Sequence, residues 1–400
     1  MRLTDGDYSA IDALLVDHDA FLRARYPGER AGRQPVHTVY VPADQVTPDL
    51  IDVWRADALA ALHGQDWPFG HFEQVEAKLR AEPIEDLRID LEDGYGVRDD
   101  AEEDAAVKAA AAALNEGIRV PFAGLRIKSL EAATRRRALR TLDLFLTAYG
   151  EPFTITLPKV SGPAQVSAMV ALCARLDRVY GTSLHFEIQV ELPAAVLGAD
   201  GAATVARLIT AAEGRCTGLH FGTYDYSAAA GVAAAYQSMD HPAADHAKAV
   251  MQAAAAQTGV HLSDGSTNVL PVGSPPEIRA AWEVHHRLVR RSLERGFYQG
   301  WDLHPAQLPT RYAAVYGFYA DGREAAITRL RCYVDRQSGG IADEPATARA
   351  LAAFLLRGLD CGALTDVDPA GGAGSGRGDA GFSRDELVAL AQAASRSAGG

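Results

Sequence analysis

Several short apolar segments of this chain end on side chains of types that can do chemistry. The side chains that follow these segments are acids, an arginine, lysines and a histidine: Asp90, Glu92, Asp93, Arg126, Lys128, Lys159, Glu191, Asp225, Asp264 and His304. Acids that point into one cavity repel each other unless a cation neutralises them. Oxygen ligands without cysteine or paired histidine favour Mg²⁺ or Mn²⁺ over zinc. Such a metal can act as a Lewis acid on a 2-oxo acid and stabilise an enolate when a carbon–carbon bond breaks.

The segments that position these side chains are predicted to be β-strands. Eight runs rich in β-branched residues alternate with alanine-rich stretches of helical pattern. The predicted strands are Val36–Val41, Leu87–Leu91, Gly124–Lys128, Phe153–Lys159, Leu184–Glu191, Thr217–Gly222, Val260–Asp264 and Gly300–His304. Eight strand–helix units predict an α/β fold of the (β/α)₈ TIM barrel type, in which active sites lie at the C-terminal ends of the strands. No G-x-G-x-x-G motif follows the first strand to indicate a dinucleotide-binding sheet.

The pattern also predicts how the chain is divided. A catalytic barrel is expected over residues 1–320, with a helical insertion at about 44–82 that holds helices at Leu50–Leu62 and His71–Ala81. Residues 321–362 have a purely helical pattern and are predicted to form an extension of the barrel. Residues 363–382 are glycine-rich and indicate a flexible linker. The capping box Ser383-Arg-Asp-Glu386 then begins a last helix, predicted over 383–400.

Composition and charge narrow the range of partners. The chain has 400 residues, of which 48% are hydrophobic and 23% charged, as in an ordinary globular protein. A formal net charge of −13 argues against nucleic acid as a partner. The basic run Arg135–Arg137 with Arg140 lies in a helical stretch and is expected to be a solvated helix face. Four scattered cysteines predict neither disulfides nor a zinc site. Without a signal segment or a long apolar run, we expect a cytoplasmic protein that does not bind membranes.

Six motifs follow the predicted strands in order between about residues 36 and 320. They are Asp90-Leu-Glu-Asp93-Gly, Arg126-Ile-Lys, Leu157-Pro-Lys159, Gln189-Val-Glu191, Leu219-His-Phe-Gly-Thr-Tyr-Asp225 followed by Gly231, and Gly300-Trp-Asp-Leu-His304-Pro305. In order and spacing they resemble the HpcH/HpaI aldolase and citrate lyase β-subunit superfamily, and in particular its citrate-lyase-like branch. The resemblance implies a metal-dependent carbon–carbon lyase or aldolase acting on a small 2-oxo acid or its adduct. It also implies a homo-oligomer, either a trimer or a hexamer.

The same resemblance assigns roles to particular residues. It implies that Glu191 and Asp225 hold Mg²⁺ or Mn²⁺, with the carboxylate and keto oxygens of the substrate completing the coordination. It implies that Arg126 clamps and polarises the substrate. The acids that follow the second strand are expected to act through waters. Further substrate contacts are assigned to three residues that follow the fourth and sixth strands: Lys159, Gly222 and Thr223.

Some of these assignments have alternatives. Asp90 and Glu92 share one side of the second strand and Asp93 lies on the other, so all three cannot face the metal. We assign Glu92 and Asp93, which lie nearest the strand end, as catalytic residues. Lys159 is either an anion-binding residue or an ion-pair partner of the acids, and His304 either contacts substrate or braces the barrel mouth.

Asp93 stands where the pyruvate-type aldolases have a catalytic histidine, which favours the lyase branch. The sequence departs from the pattern of the superfamily at three places, and one of them is the long segment between Glu191 and Asp225. The superfamily's Arg-Val-Asn on strand three is Arg126-Ile-Lys128 here. The residues after Asp264-Gly265 lack the usual aromatic and acid, so the use of a CoA thioester stays open.

Two other functions are kept as hypotheses. One is a Schiff-base aldolase that uses Lys159 or Lys128, because a desolvated lysine can become a nucleophile. Nearby acids oppose this by keeping the lysine protonated. The other is a non-catalytic barrel that binds an oxo acid, since one barrel fold supports many functions.

Overall fold

The eight predicted strands are all present in the computed structural model, which describes residues 3–335, 344–365 and 381–392. All pair in parallel, as expected when helices connect consecutive strands. The strands are β1 (His37–Pro42), β2 (Asp86–Asp90), β3 (Phe122–Arg126), β4 (Thr154–Leu157), β5 (His185–Val190), β6 (Cys216–Phe221), β7 (His261–Ser263) and β8 (Gly300–Asp302).

The sheet closes into a barrel. The strand order is β7-β6-β5-β4-β3-β2-β1-β8, and β1 pairs with β8 through His37 and Gly300. The remaining gap between β7 and β8 is bridged by Ser263 and Gln299, and the amide of Asp264 donates to the carbonyl of Gln299 at 2.8 Å. The predicted (β/α)₈ TIM barrel is therefore confirmed.

The connecting helices lie close to the predicted positions. They are α2 (Leu50–His63), α3 (Phe72–Ala81), α4 (Asp100–Glu116), α5 (Arg135–Ala148), α6 (Pro163–Tyr180), α7 (Pro193–Val196), α8 (Thr204–Ala211), α9 (Thr223–Ala229), α10 (Pro242–Ala255) and α11 (Pro275–Glu294), all preceded by α1 (Asp5–Arg25). Helices α2 and α3 lie between the first two strands. No predicted element covers α1, which lies N-terminal to the barrel.

One helix, α12 (Leu308–Val334), joins the barrel to the C-terminal helices. The sequence predicts two helices here, at Pro305–Tyr319 and Arg323–Tyr333; this is wrong, since α12 continues across the expected domain boundary at residue 320. Helices α13 (Pro345–Asp360) and α14 (Arg384–Gln392) follow, and Ser383 and Glu386 form the predicted capping contact. The predicted linker falls mostly on residues 366–380, outside the described residues, as does the end of the predicted last helix at 393–400.

All four cysteines are free, and Cys173, Cys216 and Cys361 are buried. The basic run lies on α5, where Arg137 and Arg140 pair with Asp104 of α4. Among the described residues, no helix is long and apolar enough to cross a membrane.

The interior of the barrel contains buried charge that the apolar strand pattern does not predict. The guanidinium of Arg88 on β2 donates to both carboxylate oxygens of Glu187 on β5, at 3.0 and 2.9 Å. Burial alone would raise the pKa of Glu187, but the charges of Arg88 and His220 outweigh it and hold that pKa well below its usual range. The Arg88 side chain crosses the interior of the barrel next to Gly124 on β3. A β-carbon at position 124 would lie 2.6 Å from both Cδ and Nε of Arg88.

We expect Gly124→Ala to lower the free energy of unfolding by about 1–3 kcal/mol, because the added methyl group overpacks the barrel interior. Urea denaturation would measure the change. The matched control is Gly150→Ala, where the added carbon has no neighbour within 4 Å and a small stabilising effect is expected. Equal stability of the two variants would contradict this account of the barrel interior.

Candidate active site

At the C-terminal mouth of the barrel, four carboxylates surround the ammonium group of one lysine. The Nζ atom of Lys159, which follows β4, lies 2.6 Å from Asp225 and 2.8 Å from Asp93. The same atom is 3.5 Å from Glu191 and 3.7 Å from Glu92. These acids follow β2, β5 and β6, so residues distant in sequence meet at one point. In the structure the ammonium of Lys159 pairs with these acids.

The backbone of Lys159 is shaped for this position. Its φ angle is +51°, a left-handed conformation that side-chain-bearing residues adopt at a cost of about 1–2 kcal/mol. In this conformation the amide of Lys159 donates to Oε1 of Glu191 at 2.6 Å. One residue therefore contacts Glu191 through both its backbone and its side chain. Strain of this kind is found at functional sites, where the surrounding structure enforces it.

Glu191 lies directly after β5, and its side chain has no exposed surface. Burial raises the pKa of Glu191 to about 8 although Lys159 opposes the shift. Gly222 makes room for this carboxylate, because a β-carbon at 222 would lie 2.5 Å from Cβ and 3.0 Å from Oε2 of Glu191. Gly222, assigned to substrate from the sequence, thus lies against the proposed metal ligand.

Helix α9 begins directly after β6 and carries Thr223 and Asp225 in its first turn. Asp225 is half-exposed and faces Lys159. Thr223 is buried, and its hydroxyl has no hydrogen-bond partner among the described residues. Its neighbour Gly265 must lack a side chain, because a β-carbon there would collide with this hydroxyl. A buried hydroxyl without a partner is available to a ligand.

Arg126 is held by Asp90. The guanidinium donates from Nε and Nη2 to the two carboxylate oxygens of Asp90, at 2.6 and 2.5 Å. Its Nη1 makes longer contacts of 3.5 Å with Gln189 and Glu92, and the group lies 4.6 Å from the ring centre of Tyr40. The sequence predicts a two-point contact between this fork and a substrate carboxylate. In the structure, two of the three guanidinium nitrogens of Arg126 donate to Asp90 instead.

Asp90 also shapes the turn that carries the neighbouring acids. Its carboxylate accepts hydrogen bonds from the amides of Glu92 at 2.9 Å and Gly94 at 2.8 Å. Asp90 is therefore buried and fully engaged, whereas Glu92 and Asp93 face the central ammonium. Strand alternation would place Glu92 and Asp93 on opposite sides, but both face Lys159 because β2 ends at Asp90 and the residues after it form a turn.

Glu92 and Asp93 lie in different charge environments. Burial raises the pKa of Glu92 to about 7, against the charge of Arg126. Burial also acts to raise the pKa of Asp93, but its hydrogen bond to Lys159 outweighs that effect and lowers the value. The site therefore places one carboxyl that titrates near neutral pH beside one that stays ionised.

Three other polar residues at strand ends, Lys128, Asp264 and His304, have hydrogen-bond partners outside the cluster around Lys159. Lys128 donates to the carbonyls of Leu91 and Gly96 and pairs with Glu103, so it holds the loop after β2. Asp264 is satisfied by Lys248, Ser292 and the amide of Gly265. His304 caps the turn after β8 by accepting from the amide of Ala306 at 3.1 Å, so it braces the mouth.

The sequence pattern assigns no role to Gln189, although this residue lies in the motif Gln189-Val-Glu191. Its side-chain amide donates to Glu191, and its oxygen lies 3.5 Å from Nη1 of Arg126. Gln189 thus links the guanidinium to the buried carboxylate. Strand alternation indicates the contact between Gln189 and Glu191, because residues two positions apart face the same side of a strand.

The acids at the mouth suit a hard divalent cation. They offer only oxygen ligands, and Glu191 and Asp225 both reach the same ammonium, so one cation can contact both. Within the described residues, no set of three or more His, Cys, Asp or Glu side chains is arranged to hold a metal ion. Two carboxylates with the remaining positions open are typical of Mg²⁺. The residues present therefore fit this metal.

Fold and site together define an eight-stranded α/β barrel with an acidic, lysine-centred mouth. Residues 15–377 match the family described as a domain of unknown function, DUF6986, and the chain belongs to this family. A comparison with curated protein sequences gives no match.

Solved structures confirm the predicted resemblance at the level of the fold. A citrate lyase from Burkholderia xenovorans LB400 is 19% identical with a TM-score of 0.59, over 84% of this chain and 96% of that one. CitE from Mycobacterium tuberculosis is 21% identical with a TM-score of 0.51, over 83% and 99%. A malate synthase from Haloferax volcanii is 14% identical with a TM-score of 0.50, over 71% and 76%.

We expect Lys159→Met to lower the melting temperature in metal-free buffer by several degrees, because the four carboxylates then face one another without a cation. Mg²⁺ should raise the melting temperature of this variant more than that of the wild type, since binding to the folded state stabilises it. Thermal unfolding with and without MgCl₂ measures both effects. Lys108→Met, on the exposed face of α4, is the matched control, and an equal Mg²⁺ response in all three proteins would contradict the expectation.

Proposed function

We propose that this chain is an Mg²⁺-dependent carbon–carbon lyase or aldolase that acts on a small 2-oxo acid or its adduct, a CoA thioester included. The proposal rests chiefly on one observation, the convergence of Glu92, Asp93, Glu191 and Asp225 on one cation position. A purely structural ion pair needs one acid for one lysine. The surplus of negative charge favours a divalent cation at this position.

Glu191 and Asp225 would hold the metal, and Mn²⁺ can replace Mg²⁺ on the same oxygen ligands. When bound, the metal supplies Lewis acidity toward the keto group of the substrate. Lys159 must then move away from the carboxylates by rotation of its flexible side chain, while its amide continues to hold Glu191. The ammonium is then positioned at the edge of the site, where it can pair with the carboxylate of a substrate.

Arg126 places a second positive charge beside this position. Because Asp90 accepts from Nε and from one N–H of Nη2, the donors that remain for substrate are the N–H groups of Nη1 and the second N–H of Nη2. The guanidinium is buried, and a charge held in a site of low dielectric stabilises developing negative charge strongly. The Asp90 contact fixes the orientation of the guanidinium before substrate arrives.

Glu92 and Asp93 have separate tasks in this proposal. The Glu92 carboxyl, with its pKa raised to about 7 by burial, can hold or release a proton near neutral pH. Asp93 stays ionised and orients Lys159. The hydroxyl of Thr223, which lacks an internal partner, is assigned to a substrate oxygen.

The similar structures support the substrate class through what they hold. The mycobacterial CitE structure contains magnesium, acetoacetate and coenzyme A, and the malate synthase structure contains magnesium and glyoxylate. The similarity extends over most of the barrel, at identities where the fold alone is shared. The particular oxo acid and the use of a thioester therefore belong to this proposal. We also propose that the chain forms a homo-oligomer.

The Schiff-base alternative requires Lys159 as a neutral amine. Burial alone would lower the pKa of Lys159, but the charges of Glu191, Asp225 and Asp93 outweigh it and raise the value well above its usual range. An ammonium held in this way is not a nucleophile. The geometry therefore favours the metal-dependent reaction.

The function is tested by exchange of the C3 protons of pyruvate or oxaloacetate with deuterium oxide, followed by NMR. We expect exchange that EDTA stops and Mn²⁺ restores, because enolate formation depends on the metal. Glu191→Gln and Asp225→Asn should abolish exchange and Mn²⁺ binding while leaving the fold intact. Glu131→Gln, an exposed acid on the same side of the barrel, is the control.

Two outcomes would contradict the proposed metal-dependent reaction. One is a covalent adduct on Lys159 trapped by borohydride, which would support the Schiff-base reaction. The other is binding of the oxo acid without exchange under any metal condition, which would support a binding barrel.

We expect Arg126→Lys to lower kcat/KM by roughly two orders of magnitude, about 3 kcal/mol of transition-state stabilisation. Lysine keeps the charge but lacks the fork that Asp90 orients. Mn²⁺ affinity should change little, because Glu191 and Asp225 remain. Measuring turnover and Mn²⁺ affinity on the same variant separates the two roles. Retained turnover would show that Arg126 does not act on the substrate.

A further inference from the structure

Among the described residues, α1 (Asp5–Arg25) is the one long helix that has no buried residue. It is joined to the barrel at its C-terminal end. There Nη2 of Arg25 donates to the carbonyl of Ala206 at 2.9 Å, and the amide of Gly28 donates to the carbonyl of Gln257 at 2.9 Å. A capping box formed by Thr4 and Asp7 stabilises its other end. The helix is thus well formed and projects an uncovered surface.

An apolar stripe runs along this surface. Positions 7, 11, 14, 18, 21 and 25 alternate in spacings of four and three, the spacing of core positions in a two-helix coiled coil; Asp7, His18 and Arg25 are the polar members. Ile11, Leu14 and Phe21 occupy three of these positions, and Leu15 and Leu22 flank them. These five side chains are between 39% and 77% exposed. Single exposed apolar residues are common, but a continuous stripe of them marks an interaction surface.

The ends of the stripe carry opposite charges. Asp7 occupies its first position and Arg25 its last. If two copies of α1 pair in antiparallel orientation, Asp7 of each helix meets Arg25 of the other. Ile11 then meets Phe21, and Leu14 meets His18. A parallel pair would place like charges together at both ends. The stripe is therefore self-complementary about a two-fold axis, as an isologous dimer interface requires.

A lipid surface fits this helix less well. Helices that bind membrane interfaces carry lysine and arginine on their polar face. Here the helix contains five aspartates against two arginines. Anionic lipids repel such a charge.

We propose that α1 is a dimerisation helix that packs antiparallel against α1 of a second copy of this chain. The pairing rests on the surface of α1 alone and is independent of the proposed function. It also holds whatever contacts the barrels make with one another.

The proposal is tested on the full chain by light scattering after gel filtration. We expect Ile11→Asp to halve the mass of the wild-type assembly, because it places a carboxylate against Phe21 of the paired helix. The matched control is Val16→Asp. Val16 is 57% exposed on the same helix but lies outside the stripe, so this variant should keep the wild-type mass. A monomeric wild type, or equal masses for all three proteins, would overturn the proposal. So would a monomer that co-sediments with phosphatidylcholine–phosphatidylglycerol vesicles.

Orientation is tested by disulfide formation between cysteines placed on the stripe. Cys332 is first replaced by serine, because the other three native cysteines are buried. Ile11→Cys and Phe21→Cys variants are then oxidised separately and after mixing. An antiparallel pair should give a cross-linked dimer in the mixture and little in either variant alone. Cross-linking of each variant with itself would show parallel helices and overturn the proposal.

Discussion

Four carboxylates meet at the mouth of the barrel, and their mutual repulsion must be offset by a cation within a few ångströms of all of them. The ammonium of Lys159 does this in the structure. Other local features follow from that requirement. The left-handed backbone at Lys159 turns its amide toward Glu191, and Gly222 leaves the space that the Glu191 carboxylate fills. The geometry of the mouth therefore depends on a cation at the position of this ammonium.

A second pairing sets the orientation of the site. Asp90 binds two nitrogens of Arg126 and two amides of the turn after β2, so one buried carboxylate positions both the guanidinium and the acids Glu92 and Asp93. Gln189 then connects Arg126 to Glu191. The charges of the mouth therefore form one hydrogen-bonded network. Such a network is rigid when every member is satisfied.

Much of this arrangement could be predicted because it follows from local patterns. Strand–helix alternation gave the eight strands, and the barrel topology gathers their C-terminal ends, so charged residues such as Glu191 were expected to meet. The partner of each charge could not be predicted. Alternation places Asp90 on a side of its strand but does not show that it holds Arg126, because that contact depends on side-chain conformation across two strands. The sequence predicts two helices where the structure has the single helix α12, in which Gly322 leaves the space that Phe354 of α13 fills.

The pairing of β1 with β8 has a consequence for how the protein is made. His37 on β1 and Asp302 on β8 are hydrogen-bonded at 2.8 Å although 265 positions separate them. A ribosome that adds about 5–20 residues per second needs tens of seconds between exposing the first strand and the last. During that time β1 has an unpaired edge able to bind another strand. Closure of the barrel is therefore timed by translation, and the nascent chain is open to strand exchange until its eighth strand emerges.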